Sequence, residues 1–90
     1  MEVEYLYEFT VIAKLESFSR AAEELCISQS SLSKHILALE RELGVSLLLR
    51  NSRNVALSPV GAQILPLAAQ IAELKNKIRV AADKQSSRDK

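Results

Sequence analysis

The residues that build closed chemical sites are almost missing. Cys26 is the single cysteine and His35 the single histidine of the ninety residues. One cysteine forms no internal disulfide, and one histidine beside it assembles no zinc site of usual ligand number. Glycine occurs twice, and neither copy opens a turn of the kind that builds an oxyanion hole. No apolar run approaches the length of about twenty residues needed to cross a bilayer. The N-terminus begins acidic and lacks the basic-then-apolar order of a signal peptide, so the chain is expected to be cytoplasmic. An excess of one charge is missing too. With 12 basic and 11 acidic side chains the net charge is +1, unlike a strongly basic nucleic-acid binder.

What is present suits one small folded domain. The apolar share is 48% and the charged share 26%, ordinary values for a packed protein. The charge is unevenly spread. Residues 1–27 carry six acidic and two basic side chains, residues 28–53 two and four, and residues 54–90 three and six. A positive centre fits local contact with a polyanion.

The centre holds the most ordered pattern. Leu32, Ile36, Leu39 and Leu43 recur at i, i+4, i+7 and i+11, which predicts one apolar face on a helix. Ser28 is placed as N-cap, and Gly44 follows the last apolar residue, ready for the left-handed turn that ends a helix. Ser30, Ser33, Lys34, Leu37 and Arg41 fall on the other face, with Gln29 in the exposed first turn. Small hydroxyls, an amide and two cations can approach DNA closely and bond base edges and phosphates. The plain alternative is a solvated helix face.

Upstream, Val3, Leu6, Phe9, Ile12 and Ala13 form a helical stripe ending near Leu15–Glu16, with Glu4 and Glu8 off it. Tyr5 and Tyr7 flank the stripe and read as partial cover for the core. Ser17-Phe18-Ser19 breaks the pattern: Phe18 plugs the core, and Ser19 caps a second helix from Arg20 to about Leu25. Ala21 and Ala22 let another helix cross closely. Cys26-Ile27-Ser28 joins this helix to the central one, a helix-turn-helix connection without its usual glycine. Cys26, among apolar neighbours, reads as a small buried core residue.

Downstream, Leu48–Arg50 and Val55–Leu57 flank the turn residues Asn51-Ser52-Arg53-Asn54 and predict a two-stranded wing with Arg50, Ser52 and Arg53 toward its tip. Ser58-Pro59 is a helix start. Beyond it Val60, Ile64, Leu67, Ile71, Leu74, Ile78 and Ala81 are spaced by alternating fours and threes, a coiled-coil seam. Pro66 is expected to bend this helix near its start, and the polar residues 84–90 are expected to fray. The predicted architecture is mainly α: a winged helix-turn-helix over residues 1–58, a long linker helix over 59–83 and a tail over 84–90.

Together these stretches resemble the DNA-binding domain of LysR-type transcriptional regulators. Ser17-Phe18-Ser19-Arg20-Ala21-Ala22 is similar to the family's Ser-Phe-x-x-Ala-Ala, and Ile27-Ser28-Gln29-Ser30-Ser31-Leu32-Ser33 to its recognition-helix start. Leu39-Glu40, Leu43-Gly44, Arg50 and Val55-x-Leu57-Ser58-x-x-Gly61 follow in the family's order. The match runs from about Leu6 into the linker helix. Leu47-Leu48 replaces the usual Leu-Phe, which alters the packing under the wing, and Ser58 replaces the common threonine while keeping the cap. The resemblance implies that Gln29, Ser30, Ser31, Ser33 and Lys34 meet the major groove, with Arg50, Ser52 and Arg53 on the wing. It implies a homodimer through antiparallel linker helices, joined along Val60, Ile64, Leu67, Ile71, Leu74 and Ile78, on a dyad-symmetric double-stranded DNA operator. Family members continue into an effector-binding domain, so an effector would need a C-terminal domain that these ninety residues do not include.

The expected function is sequence-specific DNA binding, without metal, cofactor or membrane. One alternative is a non-catalytic helical module for protein interaction or dimerisation. An enzyme is the weaker rival: Ser28 and His35 lie seven residues apart on one helix, with no acidic orienter evident beside them.

Overall fold

The computed structural model describes residues 1–50 and 54–88. Helix α1 (Val3–Leu15) buries Leu6, Phe9, Val11 and Ile12. It ends where Glu16 enters the left-handed region at φ 54° and its N–H closes on the Ile12 carbonyl. Helix α2 (Phe18–Leu25) starts two residues earlier than its sequence suggests. The cap is Ser17, not Ser19: Ser17 has extended backbone angles, and its Oγ accepts the Arg20 N–H at 3.1 Å. Phe18 then becomes the first helical residue, and its ring packs against the core. Ala21 and Ala22 are buried as expected.

Cys26 is exposed, which corrects its expected burial. It is the left-handed residue that ends α2, at φ 58°, and its N–H turns back to the Ala22 and Glu23 carbonyls. It fills the conformational role usually given to glycine, and Ile27 packs on the core in its stead. Helix α3 (Gln29–Leu43) has the predicted bounds, with Ser28 accepting the Ser31 N–H at 3.0 Å and Gly44 at φ 72°. Its apolar stripe of Leu32, Ile36 and Leu39 meets Phe9 and Ile12 of α1 and Leu47 in the central core.

The wing is strand β1 (Leu48–Arg50) antiparallel to strand β2 (Val55–Leu57), with Leu48 opposite Leu57 and Arg50 opposite Val55. It is joined to helix α4 (Pro59–Arg88) by a dense set of hydrogen bonds. The Ser58 N–H donates to the Leu47 carbonyl at 2.9 Å, and the Ser58 hydroxyl donates to the Ser46 carbonyl at 2.6 Å. The same oxygen accepts the Gly61 N–H at 2.9 Å, capping α4. This seats Gly61 against the loop before β1 so closely that a Cβ would lie 2.1 Å from the Leu47 carbonyl oxygen.

Helix α4 runs unbroken through Pro66 and on to Arg88, so residues 84–88 of the tail expected to fray are helical, and the tail's last two residues lie outside the described ones. Lys84 and Gln85 are sound helix formers, and a cation suits the C-terminal end of the helix dipole. The helix has two apolar faces. One, with Gly61, Leu65, Ala68 and Ala72, turns toward α1 and the core, where Ala68 is fully buried; Lys75 pairs with Glu4 of α1 at its far end. The other carries most of the predicted seam, about 110° around the helix at 100° per residue. The seam is shorter than its spacing implies. Val60, in the first turn of the helix, is half-buried, and Ile64, the seam residue nearest the inner face, packs on the chain's own core.

Gly61→Ala should destabilise the domain by about 1–3 kcal/mol, the usual cost of overpacking, since the atom in the way is backbone. Urea unfolding followed by circular dichroism reads this. A midpoint equal to that of the wild type would show that the α4–loop contact is not tight.

Candidate nucleic-acid interface

Once α3 has committed Leu32, Ile36 and Leu39 to the core, the 3.6-residue period fixes what it shows to solvent. Gln29, Ser30, Lys34, Leu37, Ala38 and Arg41 are exposed, and Ser31 and Ser33 are half-buried at the edges of that surface. The Ser28 hydroxyl donates to Ser31 Oγ at 2.9 Å and lies 3.3 Å from Ser30 Oγ. Ser31 is thus held in the cap, while Gln29 and Ser30 project from the helix start. Among the described residues neither Lys34 nor Arg41 has a carboxylate partner. The structure therefore brings together five of the sequence-predicted groups on one helix end.

Behind this surface α3 is braced by a contact that the sequence did not suggest. Glu8, which lies off the apolar stripe of α1, is only 8% exposed. His35 Nδ1 is 2.7 Å from Glu8 Oε1, the ring N–H donating to the carboxylate. The Tyr5 ring stacks on the imidazole with centroids 4.3 Å apart and planes 11° from parallel. An acidic orienter for His35 does exist, contrary to expectation. It makes no catalytic pair with Ser28, which lies two turns away, about 10 Å along the axis, with its hydroxyl engaged in the cap. The two partners are twenty-seven residues apart on different helices, so no local spacing could reveal them.

The wing is tied to α3 by Glu40. Its Oε2 accepts the Leu47 N–H at 2.8 Å and the Leu48 N–H at 3.3 Å. Its Oε1 faces the Arg50 guanidinium at 3.8 Å. That guanidinium also sits 4.6 Å above the centre of the Phe18 ring, within cation–π range. Arg50, at the turn end of β1, is thus drawn against the body of the domain. Ser52 and Arg53 lie outside the described residues. On α4, Leu67 is 56% exposed, Ile71 40%, Leu74 57% and Ile78 70%. Among the described residues no three metal-ligating side chains gather as a site, and no helix is long and apolar enough to cross a membrane.

Three comparisons bear on this arrangement. The sequence profile described as "Bacterial regulatory helix-turn-helix protein, lysR family" matches residues 3–62. The HTH-type transcriptional regulator BudR of Raoultella terrigena is 43% identical over 84% of this chain and 26% of its own length. The chain spans less than a third of the curated relatives it matches. Among solved structures, the BenM DNA-binding domain in complex with catB site 1 DNA superposes with a TM-score of 0.89 at 34% identity, over 97% of this chain and 98% of that one. The CbnR DNA-binding domain in its DNA complex gives a TM-score of 0.85 at 31% identity over the full length of both chains. The four helices, the two-stranded wing and the order of the matched residues are those of this group, and the chain belongs to the LysR family of bacterial regulatory helix-turn-helix proteins.

Proposed function

We propose that the chain is the sequence-specific DNA-binding part of a transcriptional regulator. The carrying observation is the exposed face of α3, where Ser30, Lys34 and Arg41 share one helix side and Gln29 is exposed in the first turn, while the other side is locked in the core. A face of this kind enters a major groove, its N-terminal residues meeting base edges. The solved BenM and CbnR domains of the same fold are complexes with DNA, which supports the reading. In this proposal Gln29, Ser30, Ser33 and Lys34 meet bases and phosphates, Ser31 contributes at the groove edge, and Arg50, Ser52 and Arg53 serve the wing side. Residues 1–58 act as the head, working in the cytoplasm where the DNA is.

Helix α4 from residue 59 then joins two heads. Leu67, Ile71, Leu74 and Ile78 make an apolar strip too regular for a solvated surface. Pairing with a second copy covers it and sets two heads for a dyad-symmetric site. Dimerisation alone, without DNA, is the competing reading, and salt dependence separates the two.

Binding of a labelled duplex, followed by fluorescence anisotropy across a salt series, should weaken steeply as salt rises. Lys34→Ala should lower the slope of log affinity against log salt by about one unit, with the melting temperature unchanged. Gln29→Ala should instead cut discrimination between preferred and random duplexes by about 1–3 kcal/mol. A flat salt response in the wild type would leave only the dimerisation module.

Ile71→Glu places a carboxylate at the middle of the strip in both copies, where an unpaired buried charge is costly. In sedimentation equilibrium the variant should be monomeric, with its helical content kept. It should bind a half-site while losing the advantage of the full site. A variant that stays dimeric would exclude this strip as the interface.

A further inference from the structure

Leu37 stands where a soluble helix has no use for it. It is 41% exposed on α3, and the core under that helix is already filled by Leu32, Ile36 and Leu39. Its neighbours on the surface are Lys34 one turn before and Arg41 one turn after, with Ser30, Ser33 and Ala38 beside it. The hydroxyls and the methyl around it are short, so the isobutyl group is the tallest apolar feature of the face.

Whatever rests on Lys34 and Arg41 also covers Leu37, because the three share one line at spacings of three and four residues. The proposed occupant of that face is duplex DNA, and the inference rests on that reading. Two cations set about 10 Å apart along the axis bracket Leu37 with groups suited to phosphates. Between phosphates, the major groove offers one apolar group at a base edge, the C5 methyl of thymine. A hydrated polar edge would strip water from itself against Leu37 and gain no hydrogen bond in return. A methyl gains contact and loses nothing. We propose that Leu37 is a specificity-determining residue that reads a thymine through its methyl group.

The test begins with selection of preferred duplexes from a random library by the full ninety-residue chain. Each thymine of the selected sequence is then replaced singly by deoxyuridine, which keeps every hydrogen-bonding edge and removes only the methyl. Affinities are measured for the wild type and for Leu37→Ala, a change at an exposed helical site to the best helix former. At one thymine position per half-site the replacement should weaken the wild type about fourfold, the effect of one buried methyl-sized group, and leave Leu37→Ala unaffected. Selections repeated with Leu37→Ala should lose thymine preference at that position alone.

Equal sensitivity to uracil in both proteins at every position, or sensitivity in neither, overturns the role of Leu37 while the DNA-binding reading stands. A chain that enriches no sequence overturns that reading, and the inference with it. If Leu37→Ala lowers affinity equally for thymine and uracil duplexes, the side chain contacts sugar or backbone, and the proposed reading of the methyl is wrong.

Discussion

The carboxylate of Glu40 holds the functional parts in one frame. The loop between α3 and β1 leaves two backbone N–H groups, on Leu47 and Leu48, pointing at the end of α3 with no strand to receive them. A buried N–H left unpaired costs about 1–3 kcal/mol. Glu40 accepts both with one oxygen and turns the other toward Arg50. Leu47 is fully buried, and its carbonyl accepts from Ser58 and abuts Gly61. One carboxylate at the end of α3 therefore fixes the loop, the loop fixes the wing root, and the loop also fixes the start of α4. Helix α3 and the long helix are registered to each other through Glu40, Leu47 and Ser58. No flexible linker separates them.

That registration explains why α4 must have two apolar faces. Its inner face is set by the close approach at Gly61 and continues through Leu65, Ala68 and Ala72 onto α1. The seam residues are a quarter-turn or more away, so packing on α1 does not use them up. The two needs overlap only at the near end, where Ile64 packs on the core and Val60 is half-buried. A helix that served the domain alone would need polar residues at 67, 71, 74 and 78. Their apolar character leaves an exposed strip at a cost in solubility, which the proposed pairing would cover.

The elements legible in the sequence were those with local causes. The bounds of α3 follow from a cap serine, an apolar period and a terminal glycine, and the wing strands follow from their turn residues. The misread positions depend on contacts far along the chain or on a choice between near-equals. Ser17 and Ser19 are both fit to cap, and only the seating of Phe18 against the core decides between them. Glu8 looks like a solvent residue until α3 brings His35 and Tyr5 encloses it. Glu40 carries no local sign of its role, since its partners belong to a loop whose path the sequence does not state. Cys26 misleads because its residue type favours burial, whereas its place at a helix end demands a left-handed backbone.

Near-neutral overall charge is compatible with the proposed DNA-binding role because five of the eleven acidic side chains are engaged in the molecule's own contacts. Glu8 serves His35, Glu40 serves the loop and Arg50, Glu4 pairs with Lys75, Glu73 with Lys77, and Glu42 with the N-terminal amine. Of these, Glu40 and Glu42 belong to α3 and Glu8 packs against it; Glu8 and Glu40 are largely shielded, and Glu42 is held by the N-terminal amine. The cations of the outer face, Lys34 and Arg41, have no such partner among the described residues. Screening limits an exposed charge to about 8–10 Å at physiological salt, so a phosphate meeting α3 senses this local balance and little of the remainder. The formal +1 averages over the whole surface, including carboxylates on other elements and those that the fold has paired. What matters for a polyanion is which charges remain on the face it meets, and the fold has left that face cationic.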